Sequence, residues 1–314
     1  MKRSIVSFAA VLFAAFTLNI EPAAQADLFG TSGNEFTIDF VSIGNAGNAA
    51  DTTGYGAVPY EYRASTYEIT QNAITKATAS GMANVTAGPW TGNQPAANIS
   101  WYEAAAFVNF LNTSTGNTAA YDLTFSSGSW SMALWSSEQA WTAGGTNLYR
   151  NKNAFYFLPS ENEWYKAAYY NAAGTNYFLY PTGSDTAPTR VASGTNPQTA
   201  VYNNDASVPA IVASAGGLSP YGTMGQGGNI FEWNESAFDG TNSSASENRD
   251  IRGGNWFDSE LYLRSSIRYD VDPSLENYDL GFRVASVPEP STCAIALAGL
   301  ACGGYSLFRR RRAR

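Results

Sequence analysis

The stretch from Gly228 to Arg283 constrains the fold of this 314-residue chain more than any other part. Aromatic residues such as Trp233, Trp256 and Phe282 alternate there with glycines and arginines at close intervals. The rings can fill a core, and the glycines let one backbone segment pass close to another. The arginines can tie loops to carbonyls or carboxylates. The pattern therefore predicts a loop-rich core in this stretch, with arginine ties from Arg252, Arg264, Arg268 and Arg283.

Local signals predict three helices and a few strands. Thr70 is a cap residue before a helix over about 71–79. Ser100 with Glu103, and Ser160 with Glu163, have the spacing of capping boxes that begin two more helices. Alternating apolar residues predict a strand over 35–43, and shorter strands are expected over 60–63, 66–70 and 121–123. Little can be placed in the rest of residues 113–152.

The residue types that are missing limit the chemistry. The chain has no histidine, and its two cysteines, Cys293 and Cys302, lie in the C-terminal apolar tail. The globular part therefore has no imidazole or thiol for nucleophilic catalysis or for zinc and thiolate copper sites. Acidic residues outnumber basic ones, 26 to 18. No basic face for a nucleic acid is apparent, so we expect none to bind.

Four C-terminal segments occur in a characteristic order: 228–233 (GNIFEW), 252–256 (RGGNW), 263–268 (LRSSIR) and 281–283 (GFR). Together with residues 99–104 (ISWYEA) and 157–164 (FLPSENEW), they resemble the formylglycine-generating enzyme family, also called sulfatase-modifying factors. The resemblance covers about residues 36–285. It implies one α+β domain, residues 27–287, with a C-type-lectin-like fold that is loop-rich and has short strands and few helices.

The family's enzymes oxidise a cysteine of a sulfatase, using copper held by two cysteines. The resemblance places that pair in residues 256–262, where this chain has Asp258 and Glu260 but no cysteine. Because carboxylates are hard ligands, they are poor substitutes for thiolates on Cu(I). We therefore expect neither copper nor oxidase activity. The two carboxylates either form another acid–base pair or, as we favour, belong to a solvated loop. Lys166 is likewise expected to be a solvated lysine on a helix face.

The family also binds calcium. The resemblance carries one calcium site onto the carbonyl oxygens of Gly228 and Ile230 and the carboxylate of Glu232. A further side-chain ligand of the family falls on Gly225, which has no side chain, so an oxygen ligand is lost. The alternative for Glu232 is a carboxylate that accepts loop N–H bonds or pairs with an arginine.

Both ends of the chain have features of sorting signals. Residues 1–26 combine Lys2 and Arg3 with a short apolar run and a small-residue cleavage site, which predicts a secretory signal peptide. Residues 288–314 contain Pro-Glu-Pro, a short apolar span and an arginine-rich tail, an arrangement that resembles the PEP-CTERM signal. That resemblance implies a transient transmembrane segment, processing by an exosortase, and delivery to the bacterial surface or extracellular matrix.

These features predict a non-catalytic binding or structural module of the envelope. Its partner would be a glycan, a matrix polymer or an envelope protein, because exposed aromatic rings stack well on sugars. Two alternatives stay open at this point: a formylglycine-generating oxidase with an unusual metal site, and an accessory enzyme that modifies a protein or peptide.

Overall fold

The structure is a computed structural model that describes residues 25–203 and 207–288. Its regular elements are short and most of the described chain is loop. The helices of the described residues are α1 (Gln71–Ala79), α2 (Trp101–Ser114) and α3 (Glu161–Tyr169). The strands are β1 (Gln25–Phe29), β2 (Phe36–Ile43), β3 (Tyr62–Ser65), β4 (Asp122–Ser126), β5 (Ser129–Ala133), β6 (Ala140–Trp141), β7 (Asn147–Asn151), β8 (Tyr156–Phe157), β9 (Thr189–Arg190), β10 (Thr199–Ala200), β11 (Phe231–Ala237), β12 (Arg249–Arg252), β13 (Tyr269–Val271), β14 (Leu280–Phe282) and β15 (Ala285–Ser286).

All three helices begin where the sequence predicts them. The Thr70 side chain accepts a hydrogen bond from Ala73 N (3.0 Å) at the start of α1. Ser100 and Ser160 each form a complete capping box with the glutamate three residues later, Glu103 and Glu163. Each box satisfies N–H groups that the first helical turn leaves without a partner. The helix predictions are therefore confirmed.

A five-stranded sheet joins the two ends of the domain, in the order β1-β2-β3-β15-β8. Strand β2 alternates as predicted, with Phe36, Ile38 and Phe40 buried. The late strand β15 pairs with β3 and β8, both antiparallel. This pairing ties the C-terminal end of the described chain to elements much earlier in the sequence.

A four-stranded sheet, β13-β12-β11-β14, organises the C-terminal stretch. Strands β11 and β14 run parallel, with Trp233 opposite Phe282, and both residues are fully buried. Helix α2 packs between the two sheets. Its Phe107 ring lies 5.6 Å from Phe282 on one side and 6.1 Å from Phe36 on the other. One apolar core therefore joins both sheets, as the aromatic pattern predicts.

Two strand predictions differ from the structure. Residues 66–69 form no strand, because the chain bends there and the carbonyl of Thr66 accepts from the backbone of Met224 (2.7 Å). The strand expected over 121–123 is longer and forms a hairpin, β4 with β5. A second hairpin, β6 with β7, occupies part of the region that the sequence left unassigned.

The described residues contain no helix of the length and apolar character that a membrane crossing requires. The predicted C-terminal span lies outside them, as do residues 1–24 of the predicted signal peptide.

Candidate functional site

A surface cleft of about 350 Å³ lies beside the four-stranded sheet. One side of it is formed by residues from the segment 256–262, where the resemblance places the family's cysteine pair. Residues from all four strands of the sheet, β11 to β14, also line it. The lining residues are Phe231, Ile251, Asn255, Phe257, Asp258, Tyr262, Tyr269, Asp270, Val271, Leu275, Asn277, Asp279 and Leu280.

Aromatic rings form much of the wall of this cleft. Tyr262 and Tyr269 lie nearly parallel, with ring centroids 5.9 Å apart, and Phe231 meets Tyr269 edge-on. On the segment 256–262, the Phe257 ring stacks with Tyr278 at 6.1 Å. Large apolar side chains are unusually exposed in and around this cleft. They include Phe257 (44%), Leu261 (47%), Tyr269 (39%), Leu275 (45%) and Tyr278 (46%), half of the large exposed apolar residues among those described. A clustered patch of this kind is typical of a binding surface.

Three carboxylates, those of Asp258, Asp270 and Asp279, line the same cleft. The buried Asn255 side chain bonds to two of these three residues. Its side-chain oxygen accepts from the backbone N–H of Asp258 (2.9 Å), and its Nδ2 donates to Asp279 Oδ2 (2.8 Å). Asp258 Oδ2 is buried and has no hydrogen-bond partner in the protein. The lining residues include neither lysine nor arginine.

Burial raises the pKa of two of these acids, Asp258 and Asp279. Burial raises the pKa of Asp258 to about 6, a hydrogen bond from the Asn255 backbone partly opposes the shift, and the charge of Asp279 adds to it. Burial also raises the pKa of Asp279, against the hydrogen bonds that it accepts. Since both shifts favour the neutral acid, the cleft lacks a positive charge of its own that would stabilise the carboxylates.

Only one of the two carboxylates of the segment 256–262 lines the cleft. Asp258 lines the cleft, whereas Glu260 begins a short 3₁₀ turn and is not among the lining residues. The solvated-loop prediction therefore holds poorly for Asp258, which is half-buried. Within residues 25–203 and 207–288, no group of three or more acidic, cysteine or histidine residues is arranged to hold a metal ion.

The predicted calcium ligands lie elsewhere, in the interior. Gly228 and Ile230 precede β11, and Glu232 lies within it. Both oxygens of the fully buried Glu232 carboxylate bind Arg283, at 2.6 Å each, and Trp164 Nε1 donates to one of them (2.6 Å). In this arrangement the residues do not fit a calcium ion, because Arg283 would first have to leave. The calcium site stays a prediction that requires Arg283 to move away from Glu232.

Glu68 completes this buried cluster, and sequence reasoning missed it. A Cβ at Gly225 would lie 2.6 Å from Glu68 Oε2, so the Glu68 carboxylate fills the space beside Gly225. Asn229 donates to both Glu68 oxygens, at 3.0 and 3.2 Å. Burial, together with the charge of Glu232, raises the pKa of Glu68 to about 8. The distance of 157 positions between Glu68 and Gly225 explains why no local motif signals this contact.

The other arginines of the C-terminal stretch also bind inside the protein. Arg252 and Arg268 both donate to Glu161 at the start of α3, with shortest distances of 2.5 and 2.7 Å. Arg264 donates to the hydroxyl of Tyr180 (3.0 Å). The predicted ties to carbonyls or carboxylates are confirmed for Arg252 and Arg268, whereas Arg264 binds a hydroxyl instead. None of the three lines the cleft.

Lys166 corrects a prediction. It is fully buried rather than solvated, and its Nζ donates to the carbonyl of Asn45 (3.0 Å). Burial lowers the pKa of Lys166 to about 8, and the charge of Glu61 partly opposes the shift. The reason for the error is tertiary: the loop around Asn45 covers a helix position that the local pattern leaves open to water.

A second cavity, of about 200 Å³, lies beside the start of α3. Tyr60, Trp141 and Arg150 are among the residues that line it. The Arg150 guanidinium is already paired with Glu163 (2.8 Å) and Glu235 (2.6 Å), both buried. The charge of Arg150 is therefore neutralised by these two glutamates, and most polar groups that line the cavity are neutral.

Comparison with known proteins gives a family and a fold. The family described as "Sulfatase-modifying factor enzyme 1-like domain" matches residues 22–287. The structure is similar to Treponema denticola variable protein 1, with a TM-score of 0.59 and 22% identity, over 85% of this chain and 100% of that one. It is also similar to CarF, with a TM-score of 0.56 and 20% identity, over 80% and 99% of the two chains. No curated protein matches the sequence. The predicted α+β, C-type-lectin-like fold is confirmed.

Proposed function

The chain belongs to the sulfatase-modifying factor enzyme 1-like domain family, and we propose that it is a non-catalytic member that binds a partner in the aromatic cleft. One observation carries this proposal. Where the resemblance places the cysteine pair of the family's oxidases, this chain has Asp258 in an open cleft lined by aromatic rings. The position is thus suited to contact with a partner and lacks the soft ligands that Cu(I) requires.

The exposed rings support binding over a purely structural role. Phe257 and Tyr269 would each bury apolar area against a partner, at about 25 cal/mol per Å² of surface removed from water. Aromatic side chains in a cleft with a few polar groups are also the usual make-up of a ligand site. The sequence features at the two chain ends support a location at the cell surface, reached through a signal peptide and an exosortase.

The first test is chemical. The purified full-length chain is incubated with copper, oxygen and a sulfatase-type cysteine peptide, and mass spectrometry follows conversion of cysteine to formylglycine. We expect no conversion above a metal-free control. Conversion would overturn the proposal and favour the oxidase alternative. In a separate experiment, a soluble protein partner is passed over the immobilised chain. Chemical conversion of that partner, rather than its retention on the chain, would favour the accessory-enzyme alternative.

The second test concerns binding. A panel of surface glycans, matrix polymers and envelope peptides is screened against the chain and two variants, Tyr269→Ala and Phe125→Ala. Phe125 is a matched control because it is similarly exposed (38% against 39%) but lies in the β4–β5 hairpin. A partner that uses the cleft loses affinity with Tyr269→Ala only. Equal losses in both variants, or none in either, would place the binding site elsewhere.

A further inference from the structure

The cleft has a charge imbalance that narrows the class of its ligand. Asp258, Asp270 and Asp279 all line it, and no lysine or arginine does. The arginines of the same stretch are engaged inside the protein, Arg283 by Glu232 and both Arg252 and Arg268 by Glu161. The whole chain is also acidic, with a formal net charge of −8. An anionic ligand would meet like charges here, whereas a cation would be attracted.

One carboxylate oxygen of the cleft lacks a hydrogen-bond donor. Asp258 Oδ2 is shielded from water and has no partner in the protein. A buried acceptor without a partner is rare and costs free energy, unless a ligand or a water supplies the missing bond. Asn255 hydrogen-bonds to the backbone of Asp258 and to the carboxylate of Asp279. The Asp258 backbone and the Asp279 carboxylate are therefore held in place, and a donor from outside reaches Asp258 Oδ2 once the side chains that cover it move aside.

The aromatic wall suits a planar cation. The nearly parallel rings of Tyr262 and Tyr269 belong to the cleft, and the Phe257 ring lies on the segment that carries Asp258. A guanidinium can stack on such faces while its N–H groups donate to carboxylates in pairs. A neutral sugar would also use the rings, but it would leave the carboxylate charges without a counter-ion.

We propose that this cleft binds an arginine side chain of a protein partner, with the guanidinium between the aromatic faces and the carboxylates of Asp258 and Asp279. This inference rests on the proposed binding function and specifies its ligand. Lysine would fit less well because its ammonium is a point charge that neither stacks nor donates in a fork.

The experiment compares two blocked pentapeptides, Gly-Gly-Arg-Gly-Gly and its citrulline analogue, by isothermal titration with the full-length chain. Citrulline has nearly the shape of arginine but no charge. We expect the arginine peptide to bind at least tenfold more tightly. The affinity should fall with added salt, and it should fall as the pH drops through about 6, where Asp258 becomes protonated. The groups that face Asp258 across the cleft are acidic or neutral, namely Asp270, Asp279 and the two tyrosines.

Two variants with the same change of charge locate the effect. Asp258→Asn keeps the shape of the side chain and should weaken the arginine peptide at least tenfold. Asp122→Asn changes an exposed aspartate of β4 and should leave affinity within twofold. Circular dichroism checks that both variants are folded. A third variant, Asp279→Asn, gives the same expected loss if Asp258→Asn proves unstable.

The outcomes separate this inference from the function on which it rests. Equal affinity for both peptides, no measurable binding of either, or equal effects of the two charge variants would overturn the arginine site. A glycan or polymer that binds the cleft, with sensitivity to Tyr269→Ala but not to Asp258→Asn, would overturn it while leaving the binding function intact. Conversion of a cysteine peptide would instead overturn the non-catalytic function.

Discussion

Replacing Arg283 by methionine tests how the interior of this domain is held together. The buried guanidinium donates to both oxygens of Glu232 and to the carbonyls of Ser65 and Met224, all at 2.6–2.9 Å. In Arg283→Met, Glu232 keeps one strong bond, from Trp164. Removing one partner of a buried ion pair costs about 3–5 kcal/mol, because the other charge stays buried and unpaired. That is a large part of the stability of a typical domain, about 5–15 kcal/mol.

Urea unfolding followed by tryptophan fluorescence measures this loss. Arg264→Met is the matched control, because Arg264 is partly exposed and its Nε donates to a neutral hydroxyl, so we expect a loss of about 1 kcal/mol or less. The double variant Arg283→Met/Glu232→Gln should be more stable than Arg283→Met alone, since no unpaired charge remains. A loss near that of Arg264→Met, or a double variant equal to the sum of its single changes, would refute the reasoning.

Three further predictions concern titration and calcium. The pKa of Lys166 is lowered to about 8, so the unfolded chain binds more protons than the folded one above that pH. Thermal unfolding of the wild type should therefore show stability that rises from about pH 8 to 10, and Lys166→Met should not show this rise. The pKa of Glu68 is raised to about 8, so the folded state binds more protons, and stability should fall as the pH rises from about 5 to 8. Burial also raises the pKa of Asp250 to about 8, so Glu68→Gln should reduce that fall rather than remove it, and an unchanged pH profile would contradict the assignment. Because Arg283 occupies Glu232, calcium and EDTA should give the same Tm, whereas a saturable rise with calcium would support a site at Gly228, Ile230 and Glu232.

Much of the local structure could be predicted because its causes lie within a few residues. The caps at Thr70, Ser100 and Ser160 each satisfy the N–H group three residues later, so the sequence pattern contains both partners. The sequence alone also shows that residues 256–262, where the resemblance places the family's cysteine pair, contain no cysteine. The burial of Trp233 and Phe282 also agrees with the aromatic pattern of their strands.

Only the tertiary structure decided which charged groups meet. It placed Asp258 but not Glu260 in the lining of the cleft, paired Glu232 with Arg283 and covered Lys166 with the loop at Asn45. The latter two contacts each join residues that lie more than 50 positions apart in the chain. Burial of a charge depends on which distant loop covers it, and the energetic cost of that burial then sets the partner and the pKa. A sequence pattern indicates local hydrogen bonds and side-chain periodicity, but it does not indicate which distant loop will bury a given charged group.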